Sequence, residues 1–169
     1  MLKILVTGVL LSFVFLSNAI YHEESPLIKF VKYEFLHKDA KREIDCLADN
    51  IYHEARNEPV EGMMAVGMVT MNRLSSGFAD SVCKVVKQKK NNTCQFSWHC
   101  EKKFHKVKEK QYNYARGIAV VVYFNHRSMK DHTDGALFFH ADYVRPKWKN
   151  MQFTAQIGRH IFYKKKELT

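Results

Sequence analysis

The 169 residues are one domain's worth of chain, long enough to bury a single sizeable core. The formal net charge of +10 draws such a surface to polyanions. Outside the cytosol these are anionic wall polymers or lipid headgroups before nucleic acid, and beyond the first 19 residues no stretch is apolar enough to cross a membrane.

The N-terminus reads as an export signal. Lys3 supplies the positive region, Ile4 to Leu16 the apolar run, and Ser17-Asn18-Ala19 the small-x-small cleavage site. The apolar run of 13 residues is shorter than the ~17 to 25 that span a bilayer, so cleavage is favoured over a retained anchor. Removal of residues 1–19 leaves 169 − 19 = 150 residues and, with Lys3 gone, a charge of +9; a periplasmic or secreted monomer is expected. Residues 20–40 show no clear period and read as an N-terminal extension, and the catalytic domain is expected over 41–169.

Ile44, Leu47, Ala48, Ile51, Tyr52 and Ala55 fall at the spacing of one buried helical face. At about 100° per residue Glu54 projects about 20° from Leu47, on the flank of that face, while His53 points to the opposite side. Burial and a helix C-terminus both disfavour an anion, so the Glu54 pKa is expected to rise, which suits a proton donor. The competing reading is a rim Glu paired to Arg56 or Lys41.

Pro59 then sits at a helix N1 position, and Val60, Met64, Gly67, Met68, Met71 and Leu74 form the inner stripe of a second helix. Gly62 and Gly67 allow a neighbour to approach, and Ser75-Ser76-Gly77 closes the helix. Asp80 is the expected cap of a short helix through Val86. Residues 93–110 read as irregular and basic, and 111–124 as a helix with Tyr114, Ile118, Val121 and Val122 on one side. Ala136 to His140 and Ile161 to Tyr163 read as short strands flanking an irregular stretch with Pro146 and Trp148. The fold class is α+β, mostly helical with a small sheet.

Export gives the four cysteines meaning, because an even set bound for an oxidising compartment pairs. Cys94 and Cys100 bracket QFSWH and can close a small loop, which leaves Cys46 for Cys83. All three pairings stay open, as do free thiols; a zinc site lacks a C-x-x-C pair.

Five blocks, NIYHEARNEP, GMMAVGMVTMNRLSSGFADSVCKVVKQ, CQFSW, DGALFFH and IGRHIFY, resemble in order those of the cell-wall hydrolase family that includes the spore cortex-lytic enzymes. The resemblance spans Ile44 to Tyr163. It implies a lysozyme-like domain that cuts peptidoglycan glycan strands, with Glu54 of the Y-x-E-A block as the acid. This chain has Asn57 where the family has Gly, and Asn is the next best residue for a left-handed helix cap. The resemblance also implies a cleft lined by the Gln95, Phe96, Ser97 and Trp98 block, with His140 and Trp148 as further groove residues. Their amide, hydroxyl and aromatic groups suit sugar edges and faces, although Phe96 and Trp98 can equally pack inward.

Cleavage between N-acetylmuramic acid and N-acetylglucosamine needs an acid and then a base. Glu54 can supply both if the sugar's own C6 hydroxyl attacks, giving 1,6-anhydro ends by lytic transglycosylase chemistry without cofactor or metal. Hydrolysis wants a second carboxylate, and Glu58, Glu61, Glu101, Asp134 and Asp142 carry no pattern that marks one of them. The rivals are a zinc-dependent amidase, weakened because HEARN is not H-E-x-x-H and His132 and His140 lack a third ligand, and a non-catalytic basic wall-binding protein. A nuclease rests on charge alone.

Overall fold

The computed structural model describes residues 31–101 and 107–166, so the expected export signal and residues 20–30 lie outside the described residues. The architecture is α+β and mostly helical, as expected. Helix α1 spans Lys38–Ala55, α2 Val60–Ser75, α3 Val82–Val86 and α4 Glu109–Asn125. A hairpin of β1, Lys89–Lys90, and β2, Thr93–Cys94, precedes α4. A three-stranded antiparallel sheet follows it, with β3 at Phe138–Ala141, β4 at Met151–Ile157 and β5 at His160–Lys165, in the order β3-β5-β4.

Helix α2 is the axis of the molecule. It is buried on nearly every side, from Gly62 and Met63 through Met71 and Arg73, so its burial is wider than one stripe, while Val60 is 41% exposed. At Gly67 an added Cβ would come within 3.1 Å of Ile51 on α1 and 3.4 Å of Val122 on α4. That glycine sets the distance at which three helices meet, while Gly62 faces Glu58. Ile44, Leu47, Ile51, Met63, Val66, Met71 and Val122 make the main core. A smaller cluster of Ala65, Val69, Ala136 and Phe162 joins α2 to the sheet.

Several local expectations give way to the structure. The turn after α1 stays right-handed: Arg56 has φ −58 and ψ −19, and Asn57 is not among the positive-φ residues. Here the Arg56 guanidinium donates to the Tyr52 and His53 carbonyls, which satisfies helix-end acceptors without a left-handed cap. Pro59 is the N-cap of α2, so the helix begins one residue later than expected. Ser81, not Asp80, caps α3 by accepting from Lys84 N at 3.2 Å, and Asp80 pairs with Lys84 instead. Tyr114 is 55% exposed, and Ala115 and Ala119 join Ile118 and Val122 on the buried face of α4. The stretch read as irregular around Trp148 is followed by strand β4. Gly77, at φ +74, does close α2, with Phe78 N donating to Arg73 O.

Two disulfides, Cys46–Cys83 and Cys94–Cys100, join the four cysteines. The first ties α1 to α3, and the second closes the loop carrying Gln95 to Trp98. Among the described residues no helix is long and apolar enough to cross a membrane.

Candidate active site

Glu54 stands in the last turn of α1, where the helical core meets the sheet. The carboxylate lines a hollow of about 190 Å³ with Arg73 of α2, Gln95, Phe96 and Ser97 of the disulfide loop, Phe138 and Phe139 of β3, and Trp148. It also faces a second hollow of about 280 Å³ lined by His53, Arg56, Glu58, Tyr143, Arg159 and His160. Across Trp148 a third, of about 600 Å³, contains His140, Arg145 and Tyr163. The first shares Glu54 with the second and Trp148 with the third, so the three adjoin as one cleft.

Burial pushes the Glu54 carboxyl up to about 7 from an ordinary 4.5, and the negative charge of Glu101 pushes the same way. Arg56 and Lys41 are engaged elsewhere, Arg56 with the carbonyls above and the Tyr52 ring, and Lys41 with the Glu34 carbonyl. A carboxyl in this state keeps a protonated population near neutrality and can donate to a leaving oxygen. Glu101 is the residue that the sequence reading did not single out. Ser97 Oγ donates to it at 3.3 Å, so the loop closed by Cys94 and Cys100 holds a second carboxylate at the rim.

The loop bends at Gln95 and Phe96 and turns into a short 3-10 helix at Ser97–His99. Gln95 and Ser97 are exposed toward the cleft and Phe96 is 3% exposed. Trp98 lines none of these hollows. It stacks on His53 with centroids 4.5 Å apart and donates from Nε1 to Asn50 Oδ1, so His53 is packed against an aromatic ring. Asn50 in turn donates to Thr70 of α2, and this polar chain fixes the last turns of α1 beneath the acid. His140 lies beyond Trp148, its Nδ1 2.9 Å from the Ala141 carbonyl and its ring stacked on Tyr163. Trp148 is 43% exposed and touches the rings of Phe138, His140 and Tyr163.

The β wall of the cleft is fastened to the end of α2. Asn72 Nδ2 donates to Asp131 at 2.8 Å and to the Ala136 carbonyl at 3.1 Å, and Arg73 Nε donates to the Leu137 carbonyl at 2.6 Å. Burial works against the Asp131 carboxylate, but hydrogen bonds from Thr133, Asn72 and Gly135 outweigh it and hold its pKa below the usual range. Arg73 is 1% exposed, with its guanidinium 5.2 to 5.4 Å from the ring centres of Phe78, Phe96 and Phe138. Burial lowers its pKa to about 10, which leaves it charged at neutrality, and its Nη1 has no hydrogen-bond partner among the described residues.

Among the described residues no group of three His, Cys, Asp or Glu side chains is placed to hold a metal ion. The family model described as Cell Wall Hydrolase matches residues 57–163, the larger part of the chain. Neither the curated proteins nor the solved structures give a match. The matched segment takes in Gln95 to Trp98, His140 and Trp148 and begins just after Glu54.

Proposed function

The chain belongs to the cell-wall hydrolase family, whose substrate is peptidoglycan, and we propose that it cleaves the bond between N-acetylmuramic acid and N-acetylglucosamine with Glu54 as the acid. The observation that carries the proposal is a carboxyl held near pKa 7 by burial, in a cleft edged by amide, hydroxyl and aromatic groups. Family membership and the paired cysteines agree with an exported protein.

In the proposed course Glu54 gives its proton to the glycosidic oxygen as the bond to the muramic acid C1 breaks. The glucosamine leaves as an alcohol. The resulting carboxylate takes the proton of the muramic acid C6 hydroxyl as that oxygen closes on C1, which restores Glu54 and leaves a 1,6-anhydro end. Gln95 and Ser97 are placed to hold hydroxyls and acetamides, and Trp148 offers a face for stacking. This is lytic transglycosylase chemistry and uses one carboxylate.

One observation favours a second reading. Glu101 is the carboxylate whose charge reaches Glu54, and in a hydrolytic course it would activate a water or stabilise the developing cation. Mass spectrometry of fragments released from purified peptidoglycan separates the two. Anhydro ends that vanish with Glu54→Gln support the transglycosylase; reducing ends that vanish with Glu101→Gln support hydrolysis. Free peptides lost in a chelator would mean an amidase, and wall binding unchanged by Glu54→Gln with no fragments from either protein would mean a non-catalytic binder.

A further inference from the structure

The cleft opens at one end into a hollow of about 680 Å³ that the glycosidic chemistry does not use. Gln95 and Phe138 line both this hollow and the one holding Glu54, so the two are continuous. One wall is the β1–β2 hairpin. Asn91 and Asn92 turn it with φ of +49 and +62, a conformation Asn tolerates, and Gln95 N closes its base on the Gln88 carbonyl at 2.9 Å. The other wall is the end of β5. The hairpin contributes Lys90 and β5 contributes Lys165, and the rings of Phe78 and Phe138 line the same hollow.

Among the described residues the charges that line this hollow have one sign. No Asp or Glu among them lines it, and the Arg73 guanidinium lies against the rings of both Phe78 and Phe138. The two other hollows that flank the acid's own are mixed: Glu58 stands with Arg56 and Arg159 in one, and Asp142 with Arg145 in the other. Like charges around a concave, partly apolar surface add their potentials and concentrate anions there.

We propose that this hollow is the subsite for the peptide stem of muramic acid, seating a stem carboxylate between Lys90 and Lys165 and small apolar side chains on Phe78 and Phe138. It rests on the glycan-cleaving reading of the cleft, because the stem hangs from the sugar which that cleft holds. Stem peptides combine what the walls complement: carboxylates, backbone amides within reach of Gln88 and Asn91, and methyl groups. The placement also gives the glycan a direction, with the lactyl side of muramic acid turned toward the hairpin.

The test compares stem-bearing glycan strands with strands stripped of their peptides, using the oxidised full chain and the Lys90→Gln/Lys165→Gln variant. The stem should raise kcat/KM about tenfold in the unaltered protein, and the variant should lose that preference while cleaving stripped strands at the unaltered rate. A variant that keeps the preference overturns the proposal, as does equal loss on both substrates. Calorimetric titration with free stem peptide gives a readout independent of cleavage. Binding that the variant loses supports the hollow even if no glycan is cut, in which case the Glu54 reading alone fails. Stem-indifferent cleavage without peptide binding sinks the hollow and leaves the glycosidase. Competition by a polyglycerol phosphate and not by stem peptide would reassign the site to wall-polymer phosphates and overturn it.

Discussion

Glu54→Gln should make the protein more stable, and only above a definite pH. The carboxyl titrates at about 7 in the folded chain against an ordinary 4.5, so between those values the native state keeps a proton that the unfolded chain has released. Stability then falls as pH rises, by about 1.4 kcal/mol per pH unit. Over 7 − 4.5 = 2.5 units the cost reaches about 3 kcal/mol, present in full above pH 7 and absent below pH 4.5. Glutamine imitates the neutral acid and escapes the cost. Urea titrations at pH 4, 6 and 8, followed by tryptophan fluorescence, should therefore show the two proteins alike at pH 4 and the variant ahead by about 3 kcal/mol at pH 8. The same protonation governs catalysis, so kcat/KM of the unaltered enzyme should decline above pH 7. A variant with the same offset at every pH, or less stable at pH 8, would refute the account of a desolvated acid.

Three further outcomes are expected. Glu101→Gln removes a like charge and should move the alkaline limb of the pH–rate profile to lower pH; a limb that stays in place would show that the two carboxylates do not communicate. Alanine in place of the Cys46–Cys83 pair, which closes a loop of sequence separation 37, should cost about 3 to 4 kcal/mol in denaturant titrations. The same change at Cys94–Cys100, of separation 6, should cost about 2 kcal/mol yet lower peptidoglycan cleavage more, because that loop presents Gln95 and Ser97 to the cleft. Gly158→Ala should cost about 1 to 2 kcal/mol in the same titrations, since φ is +57 and the new Cβ would collide with the Glu58 carboxylate, which accepts from Arg159 N at 2.8 Å.

The helical half was legible because its signals are local and periodic. The face of α1, the close approach at Gly67 and the stop at Gly77 each follow from residues within one or two turns. Strand β4 was legible too but was missed. In MQFTAQI, Met151, Phe153, Ala155 and Ile157 alternate with polar residues, and the glycine that turns the hairpin comes next. Its flanking Pro146 and Trp148 hid the period. Glu101 and Arg73 could not be found this way. The sequence distance from Glu54 to Glu101 has no period, and Arg73 is buried by three phenylalanines drawn from separate segments. The β1–β2 hairpin has lysines where a strand signal would need apolar residues.

The acid and the wall it works against belong to parts of unequal cohesion. Glu54 is anchored in the main helical core, while Phe138 and Phe139 stand on a sheet joined to the helices by the smaller cluster, by Phe139 packed on the main core, and by bonds from Glu58, Asn72 and Arg73. Amide protons of β3 and β5 should therefore exchange sooner than those of α1 and α2, as in a molecule with a less protected outer unit. Mild heat or denaturant would open the cleft first, so that the enzyme falls silent while most of its helix content is still intact.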